Sequence, residues 1–362
     1  MFSELSCEHG NYRNLVGGEW RPGKSGKTIT ITSPLNGQII GTVPSMTMDE
    51  VDEVVHIAHE AQKSWRTVPA NKRAEILQRA ADILEREADA LADILLHEIA
   101  KDRKSARSEV TRTADYIRFT ADAVKNMAGE SIPGDSFPGF DRDKISVVTR
   151  EPLGIVLAIS PFNYPINLAA SKIAPAVAAG NTVILKPATQ GSISGLHLAK
   201  VFEEAGLPAG VLNTVTGRGS EIGDQIVTHP GIDFINFTGS TEIGQHIASL
   251  ISMKPCLMEL GGKDAAVVLE DCDMELTVDN IVAGAYSYSG QRCTAVKRIL
   301  VMESVADKLV ARLKAKIGQL AVGDPLENLD AVVVPLISSA AADFVCELMD
   351  DAREKGAHTN LR

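Results

Sequence analysis

The sequence has few aromatic residues, few cysteines and no long apolar run. Aromatic residues make up 4% of the 362 residues, and the five cysteines include no CxxC pair. An odd, unpaired set of cysteines argues against a disulfide framework and against the usual zinc spacings. No apolar stretch approaches the roughly 18 residues that a membrane-spanning helix needs. The opening residues, MFSELSCEHGNYRN, lack the basic and apolar segments of a secretory signal. We therefore expect a cytoplasmic protein without a metal centre.

Basic residues are also in deficit. Lysine and arginine number 36 against 47 acidic residues, which gives a formal net charge of −11. This balance argues against nucleic acid or an anionic membrane as the main partner. A small anionic ligand held by a few local cations remains compatible with it. With 44% hydrophobic and 23% charged residues, the composition is that of a globular protein, and the length indicates about two domains.

The N-terminal third is predicted to be helical after a short extended start. Residues 28–34 alternate as a strand does, and helical spacing covers residues 48–66, 71–101 and 104–127. A segment rich in glycine and proline, residues 129–143, then interrupts the helical pattern.

After Gly154 short β-branched runs alternate with helical stretches as far as a last run, CLMELGGKDAAVVLE. This alternation predicts an α/β fold in which a parallel sheet carries helices on both faces. Ligands of such sheets bind beyond the carboxyl ends of the strands. A second α/β region begins near Gly261. The predicted strand ends are Ser160–Asn163, Lys186–Gln190, Gly217–Ser220, Thr238–Ser240 and Glu259–Gly262.

Four strand-end signatures follow one another in a fixed order: PFNYP, LKPATQ, FTGSTEIG and MELGGK, with SGQRCTA after them. Together they resemble the aldehyde dehydrogenase superfamily from about residue 14 to the end of the chain. The longer strings SYSGQRCTAVKR and PFNYPINLAASKIAPA look like its NADP-dependent branch that oxidises glyceraldehyde 3-phosphate without forming an acyl phosphate. The resemblance implies an NADP-binding domain over residues 1–260 and a catalytic domain over residues 261–362. Family members continue past this point, so we expect a fragment whose catalytic domain lacks its C-terminal part.

Cys293 is the candidate nucleophile. It lies among small polar residues beside Arg292, and a nearby guanidinium together with amide N–H groups favours the reactive thiolate. A lone cysteine is more often buried and inert, but the resemblance places the family's nucleophile at this position. The other four cysteines are interpreted as incidental thiols: Cys7, Cys256, Cys272 and Cys346.

Glu259, Asn163 and Lys172 are the other candidate catalytic residues. Glu259 ends an apolar run, so partial desolvation is expected to raise its pKa toward that of a general base; a capping or salt-bridged glutamate is the alternative. Asn163 lies on a stiff turn between prolines and can donate to an oxyanion, although turn geometry alone also explains an asparagine. The resemblance implies that Glu259 activates the deacylating water, that Asn163 acts with the backbone N–H of Cys293, and that Lys172 is a basic residue of the active centre.

The cofactor prediction depends on Lys186 and Thr189. Lys186 leaves a strand end and is placed to reach a ribose or a phosphate. NAD-preferring relatives carry a glutamate three residues after this lysine, where this chain has Thr189, so a 2′-phosphate would meet no repulsion and NADP is favoured. The resemblance also implies cofactor contacts at Ser160, Asp224, Gly239 and Ser240. The glycines there do not form the standard dinucleotide fingerprint.

Substrate recognition is assigned to a few local cations. In the matching branch, the positions of Arg112, Tyr164 and Arg292 bind the substrate phosphate, and Asn163, Cys293 and Thr294 complete the substrate site. Fork-shaped arginine donors suit a phosphate. Arg112 has an alternative as a solvated partner of Glu109, and Arg292 as a charge that only tunes Cys293.

The expected reaction is oxidation of D-glyceraldehyde 3-phosphate to 3-phosphoglycerate with NADP, through a cysteine thiohemiacetal and a thioester. One alternative keeps the reaction but replaces the substrate with a semialdehyde or another small aldehyde. Another is a catalytically incompetent fragment that only binds the nucleotide. The family assembles as homodimers or homotetramers, partly through the extended segment near residues 129–150.

Overall fold

The computed structural model describes residues 6–7, 10–139 and 141–358. Its strands are β1 Ser6–Cys7, β2 Asn11–Tyr12, β3 Asn14–Val16, β4 Glu19–Arg21, β5 Thr28–Thr32, β6 Ile39–Pro44, β7 Glu130–Pro133, β8 Ile145–Val148, β9 Ile155–Ser160, β10 Thr182–Pro187, β11 Leu212–Thr214, β12 Phe234–Thr238, β13 Cys256–Glu259, β14 Asp264–Val268 and β15 Val296–Val301. Its helices are α1 Met48–Trp65, α2 Ala70–Arg86, α3 Ala88–Ile99, α4 Arg103–Lys125, α5 Asn167–Ala178, α6 Ser192–Glu204, α7 Gly219–Thr228, α8 Thr241–Leu250, α9 Met274–Tyr286, α10 Glu303–Ile317 and α11 Ser339–Glu354.

The central sheet has five parallel strands in the order β11-β10-β9-β12-β13. Strands β9 and β10 are buried along almost their whole length, which explains why they read as apolar runs without alternation. The register pairs Pro187 with Ser160 and Thr238 with Glu259. Four strands therefore end side by side at one carboxyl edge, where an α/β sheet binds its ligands.

Helices cover both faces of this sheet, as the sequence predicts. On one face, α1, α7 and α8 pack against alternate residues of β9, including Ile155 and Leu157. On the other, α5 and α6 pack against the intervening residues, Val156 and Ala158, with α2, α3 and α4 outside them. The alternating sides of a strand thus feed two separate apolar cores. No helix of the described residues is long and apolar enough to cross a membrane.

The prediction of one continuous helix over residues 71–101 is wrong. The structure divides it at Glu87, whose φ of −93° and ψ of 10° leave the helical region, so that α2 and α3 are two separate helices. Both helices pack against α4. Helix α3 then ends at Ala100, which adopts a left-handed conformation with φ 53°. Apolar spacing could not reveal the bend, because both helices bury the same kind of stripe.

The part after Gly261 has its own small core. Strands β14 and β15 pair in parallel, and α9 and α10 pack on them through Val278, Ile281 and Leu309. Strands β7 and β8 form a separate antiparallel hairpin within the 129–150 segment. The division at residue 260 coincides with the change from one sheet to the other, and as a domain boundary it stays a prediction.

Candidate active site

A cleft of about 600 Å³ opens at the carboxyl edge of the central sheet. It brings together residues from five segments that are distant in the sequence. The lining residues are Ile159, Ser160, Pro161, Phe162, Asn163, Lys186, Pro187, Ala188, Phe237, Thr238, Gly239, Ser240, Ile243, Gly261, Gly262, Lys263, Gly290, Gln291, Arg292, Cys293 and Lys297. Seven of the predicted site residues are in this set: Ser160, Asn163, Lys186, Gly239, Ser240, Arg292 and Cys293.

Cys293 lies on an exposed loop that follows a strained turn. Tyr288 and Ser289 adopt left-handed conformations, with φ of 52° and 53°, which non-glycine residues seldom do. Such strain persists only where the surroundings fix it. Here Tyr288 is buried and its hydroxyl donates to the Ile99 carbonyl at 2.8 Å, while the Lys297 ammonium bonds the carbonyl of Cys293 at 3.0 Å.

Asn163 meets the nucleophile loop across the cleft. Its side-chain amide donates to the carbonyl of Gln291 at 2.8 Å, two residues before Cys293. Its Oδ1 is buried and has no hydrogen-bond partner among the described residues. The turn that the flanking prolines predicted therefore brings a polar amide into contact with the loop that carries the thiol, in the cleft that both residues line.

Glu259 belongs to a bonded group with Thr238 and Lys172. The Thr238 hydroxyl donates to the Glu259 carboxylate at 2.6 Å, and the buried Lys172 ammonium lies 2.6 Å from Thr238 Oγ1 and 3.4 Å from Glu259. Partial burial acts to raise the pKa of Glu259, but the hydroxyl and the ammonium outweigh it and the pKa lies below its ordinary value. The expected upward shift is thus wrong. At neutral pH Glu259 is ionised and able to accept a proton.

Lys186 is the best candidate for a cofactor ligand. Its side chain is almost fully buried in the cleft, and it has no hydrogen-bond or ion-pair partner in the described part of the chain. Burial lowers the pKa of Lys186 to about 8. A buried ammonium without a counter-ion fits an anionic group of a ligand.

A second part of the cleft lining, at Ser160, Gly239 and Ser240, fits a pyrophosphate. The N-terminus of α8 is capped by Ser240, and a Cβ added at Gly239 would overlap the ring of Phe237. The buried Ser160 hydroxyl, which also lines the cleft, has no partner among the described residues. A helix N-terminus with close backbone approach and free polar atoms is a suitable binding place for a dinucleotide phosphate.

The predicted substrate cations gather around Tyr164. Arg292 bonds its hydroxyl, and Arg112 is close enough to lower its pKa, although burial raises it overall. Arg112 is exposed and does not pair with Glu109, which instead bonds Lys101 at 2.5 Å. The alternative reading of Arg112 as a partner of Glu109 is therefore wrong. Arg292 also donates to the carbonyl of Gly284 at 2.5 Å, so it has a structural role besides any effect on Cys293.

Other predicted residues lie outside the lining of the cleft. Asp224 is exposed and contacts His246 at 2.8 Å, Thr189 follows the end of β10, and Thr294 is exposed beside Cys293. Sequence reasoning named no role for Thr238, Lys297 or Lys101. Thr238 had a usable signal, because it is a polar residue at the end of a buried strand.

The described chain is similar throughout its length to known proteins. The profile of the aldehyde dehydrogenase family matches residues 20–361. A curated relative from Streptococcus equinus, an NADP-dependent glyceraldehyde-3-phosphate dehydrogenase, is 56% identical over 96% of this chain and 72% of its own length. A succinate-semialdehyde dehydrogenase [NADP(+)] from Escherichia coli is 35% identical over 95% of this chain and 70% of its own length.

Solved structures agree with these sequence relationships. The crystal structure of NADP-dependent glyceraldehyde-3-phosphate dehydrogenase from Bacillus halodurans C-125, complexed with NADP, is 49% identical and superposes with a TM-score of 0.94. The match covers 97% of this chain and 74% of that one. The predicted fold class is confirmed, and the chain belongs to the aldehyde dehydrogenase family.

Proposed function

We propose that this chain oxidises D-glyceraldehyde 3-phosphate to 3-phosphoglycerate with NADP, without forming an acyl phosphate. The observation that carries the proposal is the convergence on one cleft of Cys293, Asn163 and Lys186, the last without a partner among the described residues. Relatives from Streptococcus equinus, Triticum aestivum and Pisum sativum that carry this activity in their names are 56%, 48% and 47% identical to the chain. The semialdehyde dehydrogenase at 35% identity makes a semialdehyde the weaker candidate substrate.

In the first half of the reaction Cys293 is the nucleophile. Its thiolate attacks the aldehyde carbon and gives a thiohemiacetal, whose oxyanion the Asn163 amide stabilises. The amide already contacts the loop that carries the thiol, through one hydrogen bond to the Gln291 carbonyl, and its second N–H would serve the oxyanion. NADP, when bound, supplies the hydride acceptor that turns this adduct into a thioester.

In the second half Glu259 directs a water molecule at the thioester. The carboxylate takes the proton of the water as the C–O bond forms, and the thiolate of Cys293 leaves with the electron pair of the C–S bond. The lowered pKa of Glu259 keeps it in the basic form at neutral pH. Its side chain is 49% exposed, so water has access to the carboxylate.

Cofactor and substrate are recognised through anionic groups. Lys186 pairs with the 2′-phosphate that distinguishes NADP from NAD, and Thr189 leaves room for it without introducing a negative charge. Ser160, Gly239 and Ser240 would hold the rest of the dinucleotide. Arg112 and Arg292, which both act on the pKa of Tyr164, would bind the substrate phosphate. The role of Asp224 as a further cofactor contact stays a prediction, as does that of Thr294 at the substrate site.

The proposal is tested by mixing the purified chain with NADP and D-glyceraldehyde 3-phosphate and following NADPH. We expect turnover in the parent chain, none with Cys293→Ala, and a product that is 3-phosphoglycerate. NADP binding without any turnover would support the alternative of a nucleotide-binding fragment. Faster turnover of succinate semialdehyde than of the phosphorylated aldehyde would favour the second substrate class.

We also propose that the chain self-associates and that it works in a reducing compartment. In the hairpin of β7 and β8, Ile145 and Val147 are 67% and 70% exposed, and such exposed apolar residues are expected where a hairpin packs against another copy of the chain. Light scattering coupled to size-exclusion chromatography tests a dimer or tetramer. A catalytic thiol must also stay reduced, which favours the cytoplasm.

A further inference from the structure

A buried lysine lies directly behind the oxyanion residue. The side chain of Lys101 is fully buried and follows the end of α3. Its ammonium donates to the backbone carbonyl of Asn163 at 2.7 Å and to Glu109 at 2.5 Å. The same nitrogen lies 3.5 Å from the centre of the Tyr164 ring and 4.8 Å from that of Tyr288. One cation thus contacts the oxyanion turn, a residue of the substrate site and the turn before the nucleophile.

Glu109 extends this contact along the same turn. Its second carboxylate oxygen accepts the backbone N–H groups of Ile166 and Asn167 at 3.0 and 3.1 Å. The ion pair of Lys101 and Glu109 therefore bonds the chain on both sides of Tyr164. Removal of one partner from a fully buried pair leaves a charge without compensation, so the pair holds the turn in one position.

The nucleophile loop is attached to the same corner of the structure. The Tyr288 hydroxyl donates to the carbonyl of Ile99, two residues before Lys101. Between them Ala100 is buried, and its backbone is left-handed, as are the backbones of Tyr288 and Ser289. Three of the four non-glycine residues with positive φ in the described chain therefore lie on the two segments that this hydrogen bond joins. This strain indicates that the surrounding contacts fix the corner tightly.

We propose that Lys101, held by Glu109, is a positioning residue that fixes the amide of Asn163 relative to Cys293. It does not touch the reacting atoms, and it acts through the Asn163 carbonyl and the Tyr164 ring. A displacement of about 1 Å in such a site reduces the rate roughly 100-fold. The inference rests on the proposed chemistry of Cys293 and Asn163, but it needs neither NADP nor a particular aldehyde.

Two reactions of Cys293 separate positioning from nucleophilicity. With 4-nitrophenyl acetate the thiolate forms a C–S bond through an oxyanion, and 4-nitrophenolate leaves with the electron pair. With iodoacetamide the thiolate displaces iodide and no oxyanion forms. Misplacement of Asn163 should therefore slow acylation but not alkylation. Cys293→Ala identifies the fraction of each reaction that belongs to this thiol.

The test compares Lys101→Met with the control variant Lys254→Met. Lys254 also donates to backbone carbonyls, those of Val227 and His229, but it does so away from the cleft. For Lys101→Met we expect acylation to fall about 10- to 100-fold, toward the rate of Asn163→Ala, with alkylation within about twofold of the parent chain. Lys254→Met should change neither rate.

The double variant Lys101→Met/Glu109→Gln distinguishes positioning from stability. It removes both charges and leaves a carbonyl to accept the backbone N–H groups, so the melting temperature should recover relative to Lys101→Met. Acylation should remain slow. The inference would be overturned if the folded double variant were acylated as fast as the parent chain. It would also be overturned if Asn163→Ala were acylated as fast as the parent chain. If acylation depends on Lys101 but no NADPH is produced, the proposed function is refuted and the positioning role of Lys101 is not.

Discussion

Replacement of Lys186 with methionine should stabilise the protein while removing its preference for NADP. Lys186 is 6% exposed and has no counter-ion among the described residues. Burial withdraws its ammonium from water and lowers its pKa from 10.5 to about 8. Methionine fills a similar volume without a charge. The variant should therefore keep the packing of the side chain and avoid the cost of burying a charge.

The size of this effect follows from the pKa values of the folded and unfolded states. The difference between 10.5 and about 8 corresponds to about 3 kcal/mol, at roughly 1.4 kcal/mol per pKa unit. Below pH 8 both states of the parent carry the charge, and the whole penalty is present. Between pH 8 and about 10.5 the folded state releases its proton first, so the parent regains stability. The advantage of Lys186→Met should therefore be largest at pH 7 and disappear above about pH 10.5.

Melting temperatures of the two proteins between pH 7 and pH 10.5 measure this difference, with Lys72→Met as a control at an exposed lysine paired with Glu75. NADP should raise the melting temperature of the parent more than that of Lys186→Met. With a pKa of about 8, Lys186 is almost fully protonated at pH 7 and only about one tenth protonated at pH 9. Because the protonated form binds the 2′-phosphate, NADP affinity should fall about tenfold between these two pH values. NAD affinity should change little. A variant less stable than the parent at pH 7, or one that still prefers NADP, would refute the reasoning.

Three further substitutions test the remaining parts of the site. Thr189→Glu should lower the ratio of kcat/KM for NADP to that for NAD at least about tenfold, because a carboxylate repels the 2′-phosphate, whereas Thr189→Gln should change it less. Glu259→Gln should give one rapid equivalent of NADPH per site and then turn over about 100-fold more slowly, because acylation persists without the base for deacylation; an unchanged steady state would contradict the assignment. Arg112→Ala should raise KM for glyceraldehyde 3-phosphate about tenfold and leave KM for unphosphorylated glyceraldehyde unchanged, with Arg107→Ala, on the same helix but bonded to Asp89, as the control.

Elements that depend on local pattern could be predicted from the sequence. The alternating runs after Gly154 predicted the five strands and their covering helices. The pattern is clearest for β9 and β10, because burial on both faces requires continuous apolar residues. The bend at Glu87 could not be predicted in this way. It depends on how α2 and α3 both reach α4, and that is decided by tertiary packing.

The chemistry of the site was predictable to the extent that it lies within single segments. Cys293, Asn163 and Lys186 each follow a recognisable strand end or turn, and the parallel sheet brings those ends together. The pKa of Glu259 depends on residues from two other segments, Thr238 and Lys172. The residues next to Glu259 in the sequence indicated only its desolvation, which raises the pKa. This is why the expected direction of the pKa shift was wrong.

The buried lysines of the site differ in what they bond, and this difference separates their roles. Lys101 is satisfied by Glu109 and the Asn163 carbonyl, so its charge is compensated within the fold and serves to hold a turn. Lys172 is shared with Thr238 and Glu259, so it acts on a group that changes its protonation during the reaction. Lys186 alone has no partner in the described part of the chain, and its burial is unfavourable until an anion arrives. Residue type and burial are the same in all three, so only the partners, which come from distant segments, show which lysine binds a ligand.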